Sequence, residues 1–120
     1  MKHTNNLFKS FVHAYNGVAR ASTERNVRFH LVSTACVLVI AYILKLSIIE
    51  WALILSAIVL VLITEFINTC IEIICDVITS DYSIPIKNIK DIAAASVALS
   101  AVYALSIAIL ILYPKLILYI

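Results

Sequence analysis

The chain is built from long apolar blocks separated by short polar ones. From Asn5 to Ser22 the residues Phe8, Phe11, Val12, Tyr15, Val18 and Ala19 recur at helical spacing, with Lys2, Lys9, Arg20 and Arg25 around them. This spacing predicts an amphipathic helix over about residues 5–28 that rests on a membrane surface, packs on the rest of the chain, or does both. Residues 31–49, LVSTACVLVIAYILKLSII, carry one charge, Lys45, near an end where its side chain can reach the interface. They predict a first membrane-spanning helix over about 30–49. Trp51 opens the next run as an interfacial anchor, and WALILSAIVLVLIT continues without a breaker toward Ile78, predicting a second span over about 51–78. After the polar stretch TSDYSIPIKN, an uncharged run from Ile92 to Tyr113 predicts a third span over about 90–113, closed by Pro114 and Lys115.

Composition narrows the class. Of 120 residues, 63% are hydrophobic, and the mean hydropathy of +1.06 exceeds what a soluble core requires. One Gly and two Pro leave little turn chemistry for a β-barrel and no interdomain linker. A single all-α membrane domain over 1–120 is expected, with no nucleic-acid partner. Residues 1–30 lack a compact apolar segment followed by small residues, so no cleavable leader is expected. Cys36, Cys70 and Cys75 show neither CxxC spacing nor a nearby His, and are read as small buried hydrophobes. His3, His13 and His30 show no ligand spacing and are read as interfacial or solvated.

The cationic residues set an orientation. Lys2, Lys9, Arg20, Arg25 and Arg28 precede the first span, and Lys87 and Lys90 follow the second, whereas the opposite side has Lys45 and Lys115. The N-terminus and the second loop are therefore expected on the cytoplasmic side. Glu24, Glu72, Asp76, Lys90 and Asp91 then approach one membrane face.

Within the second span, ITEFINTCIEIICD places Glu65, Asn68, Glu72 and Asp76 on a narrow arc, because a helix advances about 100° per residue. Glu65 lies roughly 16 Å deeper than Asp76 at about 1.5 Å per residue. A carboxylate at that depth costs roughly 2.5–3.5 kcal/mol on insertion scales, so the row must face protein, water or a ligand. Three readings are open from the residues alone. Carboxylates and a Lys near the surface could hold a cation on nucleotide phosphates while a deeper carboxylate takes a proton from a lipid hydroxyl. The row could instead relay protons or cations, or it could join helices in an oligomer. A single Gly leaves room for neither a Walker A loop nor a kinase Gly-rich loop.

ERNVRFH, EFINTCIEIICD and IKNIKDIAAASV, in that order and spacing, resemble the prokaryotic diacylglycerol kinase family of small membrane lipid kinases, and the likeness extends from about Phe8 to Tyr113. The resemblance implies a homotrimer in the bacterial inner membrane, with active sites shared between subunits at the cytoplasmic face, and MgATP as phosphoryl donor. By the same resemblance, Glu65 matches the general base. Glu24 and Glu72 match the carboxylates that hold Mg²⁺ against the nucleotide. Asp76, Asp81, Tyr82, Ser83, Lys90 and Asp91 match the rest of the ATP site, while Asn68 is a polar residue required around it and is assigned to the lipid substrate; apart from the resemblance, Arg28 is placed with the lipid headgroup, with a phosphate contact as an alternative. Arg28 can also pair with Glu24 one turn away. The chain departs from the family at Ser83, where His is usual, and at Ala95, where Gly is usual. ERN and NTCIE resemble the Gram-positive-type branch, which implies undecaprenol as acceptor, with diacylglycerol as the alternative.

Overall fold

The computed structural model describes residues 2–120, with side chains from Asn6 onward; Met1 and the side chains of Lys2 and His3 lie outside the described residues. The described chain forms four α-helices: α1 (Lys2–Ala21), α2 (Arg25–Ile43), α3 (Ile48–Ile78) and α4 (Ile84–Tyr119). The last three are long and apolar enough to cross a membrane, with mean hydropathies of 1.6, 2.2 and 2.4. At about 1.5 Å per residue α3 is roughly 46 Å long, more than enough to cross a hydrocarbon layer of about 30 Å.

The first helix ends earlier than the expected residue 28. The Ser22 and Thr23 hydroxyls donate back to the carbonyls of Val18 and Arg20, both at 2.7 Å, offering the backbone a local alternative to further helix. Glu24 is extended (φ −80°, ψ 136°), and Arg25 starts α2. Arg28 therefore belongs to the first turns of the spanning helix. At the other end of α2, Lys45 adopts φ 54°, the left-handed conformation of many helix C-termini, and its N–H donates to the Tyr42 carbonyl.

α3 starts at Ile48 rather than Trp51 because Ser47 and Glu50 form a reciprocal cap. Ser47 Oγ accepts from Glu50 N–H at 3.2 Å, and Glu50 Oε2 accepts from Ser47 N–H at 2.8 Å. α4 starts at Ile84, with Pro85 in its first turn, where a missing N–H leaves no helical bond unmade. It also continues through Pro114 instead of stopping there. Two ties hold the segment beyond the proline: Lys115 Nζ sits 3.1 Å from Glu50 Oε2, and Tyr119 donates its O–H to the Ile43 carbonyl at 3.3 Å.

α3 packs along α4 and, less extensively, against α2. A small core of Ala41, Leu44, Leu46 and Ile54 closes the α2–α3 turn, with Trp51, Ile107 and Ile111 against it. Midway, Thr64 Oγ1 and Ser100 Oγ meet at 2.8 Å, a polar contact that joins α3 to α4 inside an apolar layer. Most other large apolar side chains of the three long helices stay exposed in the single chain, a surface that lipid tails or other protein must cover. Cys36 and Cys70 lie on that exposed surface and only Cys75 is buried, which corrects the expectation for the first two: they sit on helix faces that no other helix of the chain covers.

Candidate active site

α2, α3 and α4 run alternately up and down, so the start of α2, the end of α3 and the start of α4 come together at one end of the bundle. The polar arc of α3 crosses this end as a gradient of burial. Glu65 and Asn68 are buried, at 2% and 5% exposure, Glu72 is half-buried, and Asp76 is exposed. The spacing of three, four and four residues keeps all four on one face of α3.

Each member of the row has a distinct partner. Glu65 Oε2 lies 3.5 Å from Nε2 of His30 on α2, and the Glu65 carbonyl accepts from Thr69 Oγ1 at 3.0 Å. Asn68 Nδ2 donates to Glu72 Oε1 at 3.1 Å, while Asn68 Oδ1 is buried without a hydrogen-bond partner among the described residues. Lys90 Nζ donates to Asp76 Oδ1 at 2.9 Å, clipping the start of α4 to the end of α3. Beside it, Lys87 Nζ donates to Asp91 Oδ2 at 2.6 Å.

Between these ends lies an open polar hollow of about 400 Å³, lined among others by Asp76, Asp81, Tyr82, Ser83, Lys90 and Asp91. The structure thus brings together most of the residues matched to a nucleotide site. Its floor is shaped by a turn in which Asp81 N–H donates to Thr79 Oγ1 at 3.0 Å. Glu24 and Glu72 do not line the hollow. Glu24 pairs with Arg20 Nη1 at 3.0 Å and not with Arg28, because the extended residue at 24 turns its side chain back along α1. Arg28 is exposed on α2. Among the described residues no three His, Cys, Asp or Glu side chains converge on one point. Glu24 and Glu72 are nonetheless hard oxygen donors, and Glu72 commits only Oε1 to Asn68. Such a donor set fits Mg²⁺, which takes one or two carboxylates and completes its shell with water and phosphate oxygens. Ala95 is exposed on α4, so its methyl group crowds no helix of the same chain.

A second, apolar groove of about 470 Å³ runs between α2, α3 and α4, with walls that include Phe29, Thr34, Val37, Val61 and Ala104. His30 stands in its lining, so the groove reaches the residue that faces Glu65. Neither the groove nor the His30 contact emerges from sequence reasoning, which reads His30 as interfacial or solvated. The available signal is a His two residues beyond Arg28 at the point where the chain turns wholly apolar.

The sequence model of the prokaryotic diacylglycerol kinase family matches residues 12–112. Among curated relatives, the chain is similar to an undecaprenol kinase of Bacillus subtilis, 42% identical over 113 residues, which cover 93% of this chain and 92% of the relative. It is also similar to a diacylglycerol kinase of Synechocystis sp., 35% identical over 113 residues, covering 92% of this chain and 65% of that one.

Proposed function

Because this chain belongs to the prokaryotic diacylglycerol kinase family, it is a lipid kinase, and we propose that its acceptor is undecaprenol, converted by ATP to undecaprenyl phosphate. The enzyme reading displaces the two other classes open from residues alone, a relay of ions and a purely structural polar seam. The likeness to an undecaprenol kinase along nearly the full length of both chains carries the choice of lipid. Diacylglycerol is the second reading, favoured by the Synechocystis relative.

In this reading Glu65 takes the proton of the lipid hydroxyl as that oxygen attacks the γ-phosphorus and ADP leaves. Its burial supports the role, since the reacting alcohol belongs to a molecule whose chain stays in the bilayer. Asn68 and Arg28 face the lipid headgroup from α3 and α2. Asp76, Asp81, Tyr82, Ser83, Lys90 and Asp91 border the hollow that receives the nucleotide, and the Lys90 ammonium exchanges Asp76 for phosphate oxygens. Glu24 and Glu72 would hold Mg²⁺, which neutralises phosphate charge when bound. Phosphoryl transfer asks mainly for such neutralisation and for alignment of the nucleophile, so a chain with one glycine can serve without a conventional kinase fold.

The exposed apolar flanks of α2, α3 and α4 support assembly as the homotrimer that the family resemblance implies, with active sites shared between subunits. Exposed Phe8, Phe11 and Tyr15 with Lys9 and Arg20 support an α1 that lies on the membrane. In the bacterial inner membrane that the family resemblance implies, the Lys and Arg bias supports an N-terminus and site on the cytoplasmic side. Offering undecaprenol and diacylglycerol together in mixed micelles with labelled MgATP tests the choice of acceptor. Label chiefly in undecaprenol is expected; label chiefly in phosphatidic acid would reverse the choice of lipid and keep the mechanism.

A further inference from the structure

A carboxylate that serves as a base must aim one oxygen at the proton it takes, and the torsions of a Glu side chain leave that aim open unless a neighbour fixes it. Glu65 has such a neighbour. Its Oε2 lies 3.5 Å from His30 Nε2, on a different helix. The imidazole is itself held: its side chain is 18% exposed, and the Phe29 ring meets it edge-on, 5.5 Å away and at 77°. The next carboxylate on α3, Glu72, is engaged by Asn68, which leaves the Glu65 carboxylate to His30. A histidine bordering an apolar groove also requires a polar partner, because an unpaired imidazole there would be desolvated without return.

We propose that His30 is a positioning residue: its Nε2–H donates to Oε2 of Glu65 and turns Oε1 toward the lipid hydroxyl at the head of the groove. The two atoms lie 3.5 Å apart, at the long end for such a bond, and catalytic hydrogen bonds are commonly longer in the empty site than in the substrate complex. The proposal rests on Glu65 as the proton acceptor. It separates the His30 imidazole, which acts through Glu65, from the groups that touch ATP.

The test compares wild type, His30→Leu, His30→Gln and Glu65→Gln for kcat and for the KM of MgATP, using undecaprenol in mixed micelles. His30→Leu is expected to lower kcat about 10- to 100-fold, as loss of the group orienting a functional side chain does. The KM of MgATP should stay within about twofold, because no uniform nucleotide binding is lost. His30→Gln, which can still offer an N–H, is expected to recover most of the loss. Simple packing predicts the reverse order, since Leu suits an apolar groove better than Gln, and His30→Leu equal to or better than His30→Gln would overturn the proposal. The premise is read separately: an active Glu65→Gln enzyme refutes Glu65 as base, whereas an inactive one beside wild-type turnover in His30→Leu refutes His30 alone. If a His30 variant fails to assemble, the imidazole ¹⁵N resonances of His30 decide. They should move in Glu65→Gln, and unmoved resonances would overturn the contact.

Discussion

Replacing Asn68 by Leu separates the stability of the fold from its chemistry. Asn68 is 5% exposed; its Nδ2 donates to Glu72 at 3.1 Å, and its Oδ1 is buried with no partner among the described residues. Leaving a buried acceptor unsatisfied costs about 1–3 kcal/mol, and a hydrogen bond to a charged group contributes about 1.5–3 kcal/mol. Leu, of similar size, removes both, and Glu72, only half-buried, can turn its freed oxygen to water, so the two changes nearly cancel and net stability should move by less than about 1.5 kcal/mol. Turnover should not be spared, because Glu72 loses the donor that orients it. If that donor contributes about 1.5–3 kcal/mol to the reacting arrangement, kcat/KM falls roughly 10- to 150-fold. The assay pairs thermal unfolding in detergent micelles with transfer of labelled phosphate to lipid. A near-normal melting temperature beside a large loss of turnover is expected. A variant that melts far lower, with activity lost only in proportion to the unfolded fraction, would overturn this expectation and make Asn68 part of the structural seam.

Other perturbations probe other parts of the same end. Lys90→Ala is expected to raise the KM of MgATP at least about tenfold while leaving the melting temperature nearly unchanged, because exposed ion pairs such as Lys90–Asp76 contribute little to stability. Equal KM values would remove Lys90 from the nucleotide site. Thr64→Val breaks the contact with Ser100 at constant side-chain size and should lower stability by roughly 0.6 kcal/mol, the usual scale for a bond between membrane helices, with turnover retained by the folded fraction. Chelation of divalent cations should abolish transfer, and Glu72→Gln should require a higher Mg²⁺ concentration for half-maximal rate; transfer that persists in excess chelator would contradict the metal assignment.

The apolar blocks make three long helices legible, because length and hydropathy are local properties of the chain. The alignment of Glu65, Asn68, Glu72 and Asp76 on one face of α3 is legible too, since helical periodicity alone puts the four residues in line. Helix ends are harder. The start of α3 carries a readable S-x-x-E signal at Ser47 and Glu50, masked by the more conspicuous Trp51. The passage of α4 through Pro114 is accompanied by contacts of Lys115 with Glu50 and of Tyr119 with Ile43, residues far apart in sequence. Partner choice is hardest. Arg20 and Arg28 are both four residues from Glu24, and only the extended backbone at Glu24 selects Arg20. The meeting of His30 with Glu65 likewise needs two helices to be placed side by side, information that no periodicity within either helix contains.

In the proposed reaction Glu65 accepts the proton of a lipid alcohol phosphorylated by MgATP. The most direct measurement of this role is transfer of labelled phosphate to undecaprenol by purified wild type and by Glu65→Gln, which keeps the shape of the side chain and removes its basicity. Labelled undecaprenyl phosphate from wild type, with loss of at least about a hundredfold in the variant, is the predicted result. Transfer by folded Glu65→Gln at a rate close to wild type would contradict it.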